Sequence, residues 1–355
     1  MKVNYDYEGS GIGIEEIKTE KQKLLDKSNE ANENKGLFKL KSANSWLEQA
    51  KSTPIPKMLF SELWFEGELC ILFADTNLGK SILAVQIGNS ISKGIAIKGF
   101  TSETSKQLIL YFDFELSPKQ FENRYSLDFK QPYNFDENFI RVEINPDAEI
   151  PESQSFEDYL NDSLEQSIIS KGAKVLIIDN LTYLKNETER AKDALPLMKH
   201  LKALKNKYGL SILALAHTPK RDLSKPLTKN DLQGSKMLIN FCDSCFTIGE
   251  SVTDKNLRYI KQIKQRNTEE LYGTDNVITC QIEKPTNFLR FEFLRYSKEY
   301  EHLKQLDETA KEDRITKALE LKKQGKSNIE VARTLNVSEG AVRKWIIKVN
   351  STESK

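Results

Sequence analysis

The tripeptide Gly79-Lys80-Ser81, set between an apolar run and a helical pattern, constrains this chain more than any other feature. The run LCILFA (69–74) has the length of a buried strand, and the apolar positions from Lys80 to Ser92 recur at helical spacing. A strand, a loop carrying Gly-Lys-Ser and a helix make a phosphate-binding loop, ADTNLGKS at 74–81. Loop N–H groups and the helix N-terminus attract phosphate oxygens. Ala74, Asp75, Thr76, Asn77, Leu78, Gly79, Lys80 and Ser81 are therefore expected to cradle ATP. Lys80 would place its charge on the β/γ oxygens, and Ser81 would give a hydroxyl to Mg2+. Ala74 departs from the pattern, which asks for glycine at that place, and alanine disfavours positive φ.

A Mg2+-side acid belongs on a neighbouring strand. KVLIID (174–179) supplies Asp179 at a strand's C-terminal end, the edge where open α/β sheets bind ligands. It is expected to reach the metal through water; a helix N-cap is the plain alternative. Hydrolysis also needs a group that orients and deprotonates water. Asn180, not a glutamate, follows Asp179, so the base comes from elsewhere. QLILYFDF (107–114) ends beside Glu115, which is assigned the role of base, with Asp113 in support; ordinary solvated carboxylates are the alternative.

Short apolar runs alternating with helical patterns imply an α/β fold with a mainly parallel sheet covered on both faces. FIRVEI (139–144) and LSILALAH (210–217) are further strands, and helices are expected over 156–171 and 191–208. From about 244 to 296 the pattern changes to hairpin strands, an antiparallel extension. The organisation expected is a polar, disordered arm over 1–35 and an ATPase domain over 36–296, opened by a lead-in segment. A linker over 297–313 and a helical unit over 314–349 follow. With 355 residues, 30% of them charged and a net charge of +1, the chain as a whole has no strong field for nucleic acid. No apolar run approaches a membrane span, and no signal peptide is visible. Cys70, Cys242, Cys245 and Cys280 are too scattered for a disulfide framework. Cys242 and Cys245 read C-x-x-C, but apolar flanks and the absence of a second pair point to buried thiols. A reducing cytoplasm is the expected location.

ADTNLGKS, YFDFELS, KVLIIDNL and ILALAHTPKR together resemble the RecA-like ATPases, most closely RepA-type hexameric helicases and related ATPases of plasmids, phages and mobile elements. The resemblance covers roughly 55–296. It implies that His217, at the end of its strand, is a polar sensor. It implies pore-lining loops after Thr218, with Lys220, Arg221 and Lys225 as candidates for single-stranded DNA, although a solvated loop fits as well. It also implies a K-x-R pair reaching the neighbouring subunit's ATP, here Lys264 and Arg266, and hence a homo-oligomer, a hexamer. Two residues apart on a strand share a face.

DRITKALELKKQGKSNIEVARTLNVSEGAVRKWIIKVN reads as helix–turn–helix: one helix ended by Gly325, a second over 329–335, and a third capped by Ser338. Ile315, Leu319, Ile329, Val331, Val337, Val342 and Ile346 form its expected apolar set. From Arg314 to Lys355, ten Lys/Arg face four Asp/Glu, a net of +6. The unit resembles the helix–turn–helix of resolvases and transcription regulators. That resemblance implies double-stranded DNA contacts from Ser338, Glu339, Arg343 and Lys344; a protein-contact module is the alternative. The function expected is a ring-forming, DNA-acting ATPase, a helicase or translocase. An ATP-switched DNA-binding regulator shares the same nucleotide site, and a small-molecule kinase leaves the C-terminal unit unexplained.

Overall fold

The computed structural model describes residues 38–181, 183, 194–218, 221–232, 235–304, 308–335 and 337–352. The arm expected over 1–35 and the candidate Lys220 lie outside them. Nine strands form the main sheet: β1 Leu69–Ala74, β2 Ile109–Asp113, β3 Phe139–Val142, β4 Val175–Asp179, β5 Ser211–His217, β6 Ser244–Glu250, β7 Leu257–Lys264, β8 Val277–Glu283 and β9 Arg290–Ser297. Their spatial order is β3-β2-β4-β5-β1-β6-β7-β8-β9. The first six in that order are parallel, and β6 to β9 run antiparallel. This is the mixed α/β fold expected of a RecA-like core.

Both faces of the sheet are covered, which explains the unbroken apolar runs. Along β1, Cys70, Leu72 and Ala74 join one core cluster while Leu69, Ile71 and Phe73 join the other. The helix Lys80–Lys93 fills the first face and buries eleven of its residues, Leu83, Val85 and Ile87 among them. The helices Phe156–Lys171 and Ala194–Tyr208 pack on the second through Leu164, Ile168, Leu197, Met198 and Leu201. The antiparallel extension is fastened to the phosphate helix by one buried side chain. Gln86 Nε2 donates to Phe291 O at 2.9 Å, and Phe291 N donates to Gln86 Oε1 at 2.8 Å.

Residues 38–55 form a separate unit with one helix, Ala43–Lys51, capped by Ser42. Its Phe38, Leu40 and Leu47 are exposed, whereas Leu59, Phe60, Leu63 and Trp64 of the expected lead-in are core residues.

The start of the expected linker does not behave as one. Glu299 and His302 are buried. Glu299 accepts from Lys261 Nζ at 2.5 Å and from Leu227 N at 2.7 Å. His302 is held by the hydroxyls of Ser251, Ser297 and Thr279. A charged run without a strand pattern looks like a linker because the charge partner of Glu299, Lys261, is distant in sequence.

Beyond it, the helices Glu308–Lys323, Asn328–Thr334 and Glu339–Thr352 pack around Ala318, Val331, Ala332 and Val342. Gly325, with φ +83°, ends the first, and Ser338 Oγ accepts from Ala341 N at 3.2 Å to cap the third. Ile329 is 60% exposed, so it leaves the apolar set. It sits in the first turn of a seven-residue helix, and Ala318 takes the central position instead.

Candidate nucleotide site

Strand register brings the expected residues to one edge. β1 and β5 are paired so that Ala74 lies opposite His217, and β2 and β4 so that Asp113 lies opposite Asp179. The loop after Ala74 takes positive φ at Asn77 (65°) and Gly79 (95°). Ala74 is the last residue of β1 and is not among the positive-φ residues, so losing glycine there costs the loop nothing. Gly79 is different. A Cβ added to it would lie 2.9 Å from both Ile282 and Phe291 of the extension. Backbone and packing therefore both demand glycine at the helix N-terminus.

Lys80 is buried, and its ammonium folds back on the loop. Nζ donates to Ala74 O at 2.9 Å and Asp75 O at 3.0 Å, and lies 3.1 Å from His217 Nδ1. Burial lowers its pKa, opposed by the charges of Asp179, Glu115 and Asp75. Phosphate oxygens offer this cation better partners than two carbonyls do.

Asp179 is the most perturbed acid of the site. Burial pushes it up to about 6, against hydrogen bonding from Ser81 and Tyr111 that pulls it down. Tyr111 donates to Oδ2 at 2.7 Å, while Oδ1 is buried without a hydrogen-bond partner among the described residues. A buried carboxylate oxygen that makes no close hydrogen bond, on a carboxylate beside the Ser81 hydroxyl, fits a divalent cation. Mg2+ keeps most of its shell as water and phosphate, so one or two protein oxygens suffice.

Glu115 lies two residues past β2. It accepts from Asn180 Nδ2 and is 3.3 Å from His217 Nε2. The Lys80 ammonium can only donate, so His217 Nδ1 accepts, while Nε2 faces both Glu115 and, at 3.0 Å, Asn180 Nδ2. The hydrogen bond from His217 holds the Glu115 carboxyl below its usual value, against burial. His217 thus bridges the phosphate lysine and the candidate base. Asp113 does not reach the site directly. Its Oδ1 accepts from the N–H groups of Glu115 and Leu116 at 3.2 and 3.0 Å, and its Oδ2 accepts from Arg141 Nε at 2.8 Å. Tyr111, Asn180 and Arg141 were not singled out from sequence; Asn180, next to Asp179, was the one with a local signal.

Lys264 and Arg266 lie at the other end of the sheet. Lys264 ends β7 opposite Cys245, which pairs with Ile71 near the start of β1. Its Nζ caps the short helix Ser235–Phe241 by donating to Ile239 O at 2.5 Å and Cys242 O at 2.7 Å. Arg266 is past the strand, so the two do not share its face. Its Nη1 pairs with Asp243 at 3.0 Å, and Asp243 Oδ2 accepts from Leu69 N. Five residue steps along the strand separate Leu69 from Ala74, about 16 Å. Cys242 and Cys245 are buried thiols.

Arg221 is half-buried, donates to Lys225 O at 2.5 Å and lines a small cavity with Asp75, Leu78 and Glu250. Lys225 is exposed and pairs with Asp222. In the third C-terminal helix, Glu339 and Arg343 pair at 3.4 Å, and Arg343 and Lys344 are exposed.

Among the described residues, no helix is long and apolar enough to cross a membrane. No curated protein matches the chain. Residues 37–222 match the family model of the AAA domain, a span that runs from before the phosphate loop past β5. With the loop, the two acids and the lysine on one sheet edge, and with more than half of its length matched, the chain belongs to the AAA domain family of P-loop ATPases.

Proposed function

We propose that the protein is a DNA-acting ATPase that assembles as a ring and works as a helicase or translocase, in replication or mobilisation of a plasmid, phage or mobile element. The observation carrying the reading is the Lys80–His217–Glu115 chain beside Asp179, combined with cations at the far end of the sheet. In one protomer the phosphates of ATP displace Lys80 Nζ from Ala74 O and His217. Ser81, and Asp179 through water, would hold Mg2+, which would supply positive charge to the β/γ oxygens. Glu115 takes a proton from water as the water oxygen bonds to the γ-phosphorus and the bond to the β-bridging oxygen breaks. His217, no longer engaged by Lys80, reports that change to the segment after Thr218, where Lys220 and Arg221 are candidates for single-stranded DNA. Arg266, with Lys264 behind it, faces a neighbour's γ-phosphate, because its own lies at the opposite edge. A hexamer is the assembly that closes such head-to-tail contacts for this class.

Single-stranded DNA is expected to raise ATP turnover of the wild-type protein and to leave Lys80→Ala inactive. Turnover indifferent to DNA would favour a regulator that assembles without unwinding.

The C-terminal helices supply the duplex contact in this reading. Residues 314–355 carry +6 against +1 for the whole chain, so the rest is net negative. Their own core of Ala318, Val331, Ala332 and Val342 lets them be removed without opening the sheet. Deleting residues 314–355 is expected to keep ATP turnover, weaken duplex binding and flatten the slope of log K against log salt. Arg343→Ala, and Lys344→Ala beside it, are expected to weaken duplex binding; Ser338 and Glu339, held as cap and ion pair, orient them. Duplex affinity and slope unchanged by the deletion would mark the unit as a protein-docking module.

A further inference from the structure

We infer that Arg141 is a positioning residue for hydrolysis, holding Glu115 in place from the neighbouring strand; the inference rests on Glu115 being the base. Arg141 lies in β3, opposite Tyr111 of β2. Its side chain is 17% exposed and its guanidinium spends each nitrogen on a different group. Nε donates to Asp113 Oδ2 at 2.8 Å, Nη2 donates to Leu116 O at 2.6 Å, and Nη1 pairs with Glu143. Its Cζ lies over the Phe121 ring, 4.5 Å from the ring centre.

Two of those contacts converge on the stretch that carries the base. Asp113 fixes the N–H groups of Glu115 and Leu116, and Arg141 fixes both Asp113 and the Leu116 carbonyl. The backbone of residues 115 and 116 is therefore gripped on its donor side and its acceptor side by one ion pair. The Asp113 side chain is fully buried, so this pair is shielded from solvent and salt. The carboxyl of Glu115 projects from the gripped peptide to Asn180 and His217. Only a guanidinium offers two N–H vectors in a rigid plane to two separate acceptors; lysine would keep the Asp113 charge and lose the fork. The known contacts of Arg141 fall on Asp113, Leu116, Glu143 and Phe121, none of which belongs to the phosphate loop. It should therefore act on turnover and not on nucleotide affinity.

The test is a double-mutant cycle on the full chain, read by kcat and by affinity for a non-hydrolysable ATP analogue. Arg141→Gln is expected to lower kcat by about tenfold to a hundredfold, the cost of a misplaced reacting group. Analogue affinity should stay within about twofold. Arg141→Lys should recover part of kcat. In a Glu115→Gln background, which itself lowers kcat at least about tenfold, Arg141→Gln should cost nothing further, because the group it positions is gone. A merely structural residue would lower kcat by the same factor in both backgrounds. If Arg141→Gln leaves Asp113 unpaired and folds poorly, Asp113→Asn with Arg141→Gln removes the buried charge and reads the same step. An unchanged kcat for folded Arg141→Gln, or an equal loss in both backgrounds, overturns the inference. Normal turnover by Glu115→Gln alone overturns the base assignment instead.

Discussion

Arg266→Ala is expected to leave ATP binding largely intact and to cut hydrolysis by a factor on the order of 10³, the effect of removing a finger cation supplied in trans. The geometry separates the two effects. Arg266 pairs with Asp243, beside Leu69 at the start of β1, whereas Lys80 and Gly79 lie past its end. Loss of Arg266 therefore removes no contact from its own subunit's phosphates. Lys264, held by two carbonyls and with its pKa lowered by burial, anchors the segment from which Arg266 projects. The decisive form of the experiment mixes Arg266→Ala with Lys80→Ala. Each alone is inactive, but a junction pairing an intact loop with an intact finger should restore part of the activity. Mixed oligomers that form and stay inactive would remove the trans role.

Asp179→Asn is expected to stabilise the nucleotide-free protein while lowering turnover by about tenfold to a hundredfold, the cost of losing an outer-shell partner of a metal. The carboxyl is pushed from an ordinary 3.8 up to about 6 by burial. A folded-state value above the unfolded one means that the folded state binds the extra proton between about pH 4 and 6. Stability from this group is present at low pH and is lost as pH rises through 6. Above that pH the charge costs the fold on the order of 3 kcal/mol by the size of the shift, and asparagine removes the charge while its carbonyl still accepts from Tyr111. The melting temperature of Asp179→Asn at pH 7.5, without nucleotide, should exceed that of the wild type, and the gap should narrow below pH 6 and close toward pH 4. Added Mg2+ and nucleotide should stabilise only the wild type. A variant that melts lower and still hydrolyses ATP would contradict the assignment. A site residue that destabilises its own fold is a common cost of function.

The phosphate loop was legible because its information is local: strand, turn chemistry and helix start lie within about 20 consecutive residues. The acids were legible because each ends an apolar run, and strand ends define the binding edge. The parts that act through register were not. Tyr111 looks like one more core aromatic until β2 is paired with β4, and Arg141 looks like a solvated cation until β3 is placed beside β2. The K-x-R spacing suggested one face of one strand, but β7 ends at Lys264, and Arg266 turns away to Asp243. Arg221 read as a free loop cation, yet it is half-buried against the phosphate loop side of the core. Glu299 misled by its charge: buried carboxylates survive only with partners, and Lys261 and the Leu227 N–H are far away in sequence.

The central claim is that ATP hydrolysis at Lys80 and Glu115 drives movement along DNA. Strand separation of a forked duplex with single-stranded tails tests it most directly, followed with wild-type protein, Lys80→Ala and Glu115→Gln. The account predicts ATP-dependent separation by the wild type, none by either variant, and bound but unseparated substrate with Glu115→Gln. Wild-type turnover stimulated by single-stranded DNA with no strand separation and no movement along it would contradict the claim.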